Sequence, residues 1–147
     1  MNGYFAGAVG GVVGGLSIAA LGMTYGAATG RGFWALPNSI GGLILGPRRG
    51  AARSFGVPTL VGGALHVVLS AVFGVVIVLL AQGFTHAYFA TGVVAGIALW
   101  LINYVGIGMI HAGSREVAKV NPVPIALGLH VLFGLITSVV AVSILRP

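Results

Sequence analysis

The 147-residue chain has one acidic side chain, Glu116, and no cysteine. A single carboxylate cannot supply the paired acids of hydrolytic acid–base chemistry. It also rules out a Ser-His-Asp triad inside the apolar runs and a carboxylate-bridged metal site. Proton coupling of the kind used by small multidrug exporters needs a membrane-embedded Asp or Glu, which is lacking. Without cysteine there is no disulfide, no iron–sulfur cluster and no thiolate zinc site. The stretch "GAVGGVVGG" lacks the Lys-Ser/Thr end of a phosphate loop. Charged residues make up 5% of the chain, against about 25% in soluble domains. So little charge cannot cover a water-facing surface.

What the chain does have is apolar length. Its hydrophobic fraction is 58% and its mean hydropathy is +1.10. This composition points to an integral membrane protein with lipid around most of its exterior. The 26 glycines fall inside the apolar runs with no collagen-like period, a pattern suited to close helix packing. The N-terminus "MNGYFAGAVGG" lacks the basic region of a signal peptide, so the first apolar run is expected to be a retained helix.

Four windows reach the roughly 20 residues needed to span: about Tyr4–Ala27, Thr59–Ala81, Tyr88–Ile110 and Ile125–Leu145. They predict an all-α, polytopic four-helix bundle occupying residues 1–147 as one membrane domain. The 14-residue segment Phe33–Gly46 is apolar but too short to span. It is expected to be an interfacial, amphipathic or re-entrant helix, with Pro37 near its first turn. Trp34, Arg31, Arg48, Arg49 and Arg53 suit the lipid headgroup zone.

The net charge of +6 comes from seven basic residues, too sparse for a nucleic-acid face. Six of them, Arg31, Arg48, Arg49, Arg53, Arg115 and Lys119, fall in the first and third connections. The second, "QGFTHA", has none. The positive-inside rule places the basic loops in the cytoplasm and both termini outside a bacterial inner membrane, with Arg146 as the exception.

The spans also carry patterned faces. Gly3, Gly7, Gly11 and Gly15 recur at i, i+4 on the first span, beside Gly10 and Gly14. Such a face packs within the bundle or docks a second protomer or subunit. The second span carries Gly62, His66, Ser70 and Gly74, and the fourth carries Ala126, His130, Gly134 and Ser138, again at i, i+4. Both histidines fall roughly 8–10 Å in from the same membrane side. The match suggests two pseudo-repeated helical hairpins. Gly30-x-x-x-Trp34 and Gly96-x-x-x-Trp100, each followed by an asparagine (Asn38, Asn103), add a weaker echo.

A polar ring at that depth needs a partner. One reading is an interhelical hydrogen bond, with Ser70, Asn103 or Ser138 as polar neighbours and Asn103 alternatively reaching Ser17 or Thr24. A second is a b-type haem held by His66 and His130, and a third is a quinone. A zinc site has too few ligands. His111 is expected to cap the third span, and His86 to be solvated.

"GRGFWALPNSIGG" and the histidine-bearing starts of the second and fourth spans resemble small four-helix bacterial membrane proteins of no established function. The resemblance implies a fold and a location and carries no activity. The expectation is therefore a non-enzymatic accessory or scaffolding subunit, self-associated or docked with other membrane subunits through its glycine faces. A redox protein using His66 and His130, and a small channel or transporter, are the rival classes.

Overall fold

The computed structural model describes residues 2–106, 109, 117 and 119–145. Among the described residues the secondary structure is helical, with no strand. In chain order the elements are α1 (Gly3–Ala28), α2 (Ala35–Leu45), α3 (Pro47–Gly50) and α4 (Val57–Leu80), the last continued by a π-helical turn, Ala81–Thr85. Then come α5 (Tyr88–Trp100), a π-helical segment Leu101–Gly106, and α6 (Val123–Leu145). Four continuous stretches, Gly3–Ala28, Val57–Thr85, Tyr88–Gly106 and Val123–Leu145, are long and apolar enough to cross a membrane. They begin at or just before the predicted starts. Residues 107, 108 and 110 of the predicted third span, with His111 and Glu116, lie outside the described residues.

Local chemistry sets the ends. The Asn2 Oδ1 accepts from the Phe5 N–H at 2.9 Å, capping α1. At the other end of α1, Gly30 adopts φ +71°, and the N–H groups of Arg31 and Gly32 both donate to the Gly26 carbonyl at 2.8 and 3.1 Å. The left-handed glycine turns the chain back onto the helix's open carbonyls. Pro58 and Pro124 are each the second residue of a span, where a missing N–H leaves no helix bond unmade. The π turn after α4 ends at His86, whose φ is +52° and whose N–H donates to the Ala81 carbonyl at 2.8 Å.

The chain forms two compact units. One comprises Met1–Ile18, Val67–Leu99 and Leu127–Pro147; the other comprises Ala19–His66 and Trp100–Ala126. In the first unit Ile18, Ile77, Leu99 and Phe133 form one buried cluster, and Ala6, Val78 and Ala141 another. Val68, Val72, Val76 and Leu80 recur every four residues on α4 and are exposed. A stripe like that is the outward surface expected when lipid is the solvent.

In the second unit α2 occupies the predicted short apolar segment. Pro37, Asn38, Ser39, Gly41 and Gly42 are buried, while Ile44 is exposed. Ala35 and Leu36 are buried on the same helix, so polar and apolar residues alike face protein and Ile44 faces outward. The buried face of α2 packs closely on α4. A Cβ at Gly41 would overlap the Pro58 carbonyl, and one at Gly62 the Pro37 carbonyl, so backbone meets backbone there.

Candidate functional site

The glycine faces of the first unit are occupied within the chain. A Cβ at Gly7 would lie 2.6 Å from Val75 Cα, and one at Gly11 would overlap the Ser70 carbonyl oxygen on α4. The neighbouring face of α1 meets α6: a Cβ at Gly10 would lie 2.7 Å from the Thr137 carbonyl oxygen, and one at Gly14 3.1 Å from that of Phe133. Gly3 abuts the Gln82 side chain, and Gly15 is buried. The α5–α6 pair is built alike. Gly92 and Gly134 face each other's carbonyls, and a Cβ at Gly96 would lie 2.5 Å from the His130 carbonyl oxygen. Helices this close gain dispersion and Cα–H···O contacts that any side chain would forfeit. Gly92-x-x-x-Gly96 is legible in the sequence as the counterpart of Gly7-x-x-x-Gly11, and the structure adds it to the packing faces.

Polar side chains reinforce these crossings. Ser138 is fully buried, and its hydroxyl lies 2.8 Å from the Tyr88 carbonyl and 2.9 Å from that of Gly134, both acceptors. Thr137, also fully buried, donates across to the Gly10 carbonyl at 3.4 Å. Ser70 is buried with its carbonyl beneath Gly11. Ser17 and Thr24 return their hydroxyls to their own helix, to Val13 and Ala20, each at 2.8 Å.

His130 belongs to the first unit and His66 to the second. Each is half-buried and engaged with a neighbouring group. A haem beside either ring needs a flat slot along its stripe of small residues. The stripe glycines Gly62, Gly74 and Gly134 instead face backbone atoms of neighbouring helices. At these three glycines the space along the stripes is taken by backbone. Among the described residues no three His, Asp or Glu side chains group as a metal site. His86 is exposed, as expected, and borders an open depression of about 510 Å³ with Tyr88, Phe89 and Leu145. That depression is largely apolar, with no converging set of catalytic groups.

The densest polar constellation is in the second unit, around Asn38. Its side chain is fully buried; its Nδ2 donates to the carbonyls of Ala52 at 2.8 Å and Ser54 at 2.9 Å, and its Oδ1 accepts from the Thr59 hydroxyl. The Thr59 oxygen in turn accepts from the Gly56 N–H at 3.1 Å. Asn38 thus uses both amide hydrogens and its oxygen to tie α2 to residues 52–59. The sequence signal for this hub is polar "PNS" inside an apolar run, opposite a threonine in the first turn of the next span. Asn103 lies half-buried in the π-helical segment, where Tyr104 stacks on Trp100 and donates to the Asn121 carbonyl.

The predicted headgroup residues gather in the same unit. The Arg31 guanidinium lies 5.3 Å from the Tyr25 ring centre and donates to the Thr29 hydroxyl at 2.9 Å. Trp34 meets Phe33 and Phe55 edge-to-face, with ring centres 4.8 and 5.1 Å apart. Arg48, Arg49 and Arg53 are exposed. The chain matches no protein-family model, no curated protein and no solved structure.

Proposed function

We propose that this is a non-enzymatic multi-pass protein of a bacterial plasma membrane, an accessory or scaffolding subunit in a larger membrane assembly. Its basic loops would face the cytoplasm and both termini the outside. The observation that carries the proposal is the use made of the deeply buried polar side chains. Asn38, Thr59, Thr137 and Ser138 all hydrogen-bond groups of the chain itself. They hold helices together, and their own donors are spent within the chain. The single carboxylate and the backbone-filled glycine stripes point the same way.

Because Gly7, Gly11, Gly92 and Gly96 meet the chain's own helices, a partner would dock on the outward large apolar side chains. The test is chemical cross-linking in intact membranes, followed by native mass spectrometry of polymer-extracted particles. The expected result is a stoichiometric assembly holding more than one copy, or this chain with another membrane subunit. A solitary 14.7 kDa chain at native expression level would overturn the proposal.

A further inference from the structure

The sequence contains a single acidic side chain against seven basic ones. Its four arginines between residues 31 and 53 therefore need anions from outside the chain. Two of them are presented on constrained backbone. Arg31 follows the left-handed Gly30, and its N–H is bonded to the Gly26 carbonyl at 2.8 Å. Its guanidinium is further held by Thr29 and Tyr25. One hydrogen bond to a hydroxyl leaves most of its five N–H donors available and its charge unneutralised. Arg53 is held from the other direction. Asn38 bonds the carbonyls of Ala52 and Ser54, the residues on either side of it.

The two turns lie side by side. Gly32 adopts φ +105°, and a Cβ there would lie 3.4 Å from Arg53 Cβ. Next to them the Phe33, Trp34 and Phe55 rings pack edge-to-face, with Phe33 and Phe55 exposed. Among the described residues, no hydrogen bond or ion pair engages the Arg53 side chain.

We propose that the paired turns 29–34 and 52–55 form a binding site for one anionic phospholipid. The Arg31 and Arg53 guanidinium groups would take the phosphodiester, and the three aromatic rings would take the glycerol and upper acyl region. Guanidinium forks match phosphate oxygens, and aromatic rings settle at the level between headgroup and hydrocarbon. Asn38 is then a positioning residue, because it fixes the backbone that carries Arg53. The proposal depends on the membrane-spanning helices and not on the accessory-subunit role, so either can fail without the other.

The test is native mass spectrometry of the full chain from nanodiscs holding phosphatidylcholine with a minor fraction of phosphatidylglycerol. The wild type should retain one phosphatidylglycerol in preference to phosphatidylcholine. R53Q, at an exposed side chain, should weaken that preference roughly fivefold, and R31Q/R53Q more, since each basic residue near a lipid surface contributes a factor of about that size. R48Q/R49Q removes equal charge from the same connection and should retain the lipid nearly as well as wild type. Equal losses from both pairs would show diffuse attraction to the surface and overturn the site. No lipid preference in the wild type, or displacement of the lipid by millimolar inorganic phosphate, would overturn it too.

Discussion

At Gly11 and at Gly92 two helices meet backbone to backbone, with no side chain between them. At Asn38 the opposite device operates: one side chain fills the space and satisfies two carbonyls and a hydroxyl. Gly11 and Gly92 lie in the unit built from Met1–Ile18, Val67–Leu99 and Leu127–Pro147, and Asn38 in the unit holding Ala19–His66, where it works beside the backbone contacts at Gly41 and Gly62. Lipid offers no hydrophobic drive for one helix to leave it for another, so contact distance and polar satisfaction must do that work. Glycine crossings give closeness over a length of helix with little directional demand. The asparagine gives direction at one point, and fixes where an irregular segment returns to the helix.

The sharpest way to break the comparison is at the crossings. Gly11→Leu and Gly92→Leu each force a branched side chain onto a facing carbonyl, which must push whole helices apart. Each should destabilise the fold by about 3 kcal/mol or more, at or beyond the upper end of ordinary overpacking. Thermal unfolding in mild detergent would show a large loss of midpoint for both. A large loss for one alone would mean that the two hairpins are not equivalent. The control is Gly63→Leu on α4, where nothing lies within 4 Å, and which should leave the midpoint nearly unchanged.

Asn38→Leu should come between these. It keeps the branching at Cγ in a somewhat larger side chain, and leaves the Ala52 and Ser54 carbonyls and the Thr59 hydroxyl without their partner. The expected loss is roughly 1–3 kcal/mol, the range for stranding buried polar groups. Its signature should be local: faster amide hydrogen exchange over residues 51–56, with α1 and α6 still protected. Uniform loss of protection would merge the two devices into one cooperative whole.

Much of the architecture was legible because hydropathy over 20 residues is a strong signal and the medium demands helices. Helix starts were legible to within about two residues, helped by Val57-Pro58 and Val123-Pro124. The buried face of α2 was not. "ALPNSIGG" shows a short apolar helix with polar residues, but not that Asn38 and Ser39 are buried beside its close contacts with Pro58 and Gly62. The π-helical turns at Ala81–Thr85 and Leu101–Gly106 left no periodic trace. The histidine stripes were visible, yet their small residues suggested room for a ligand. A glycine reads the same in sequence whether a cofactor or another backbone lies against it. At Gly62, Gly74 and Gly134 it is backbone.

The most direct test of the central claim, that the small and polar residues of this chain hold helices together rather than a redox group, is a reduced-minus-oxidised visible spectrum. The protein should be purified from its native membrane in mild detergent, alongside His66→Ala and His130→Ala. A spectrum with no α-band in any of the three is the predicted result. A sharp b-type band in the wild type that disappears in both variants would contradict the account and make the two histidines ligands.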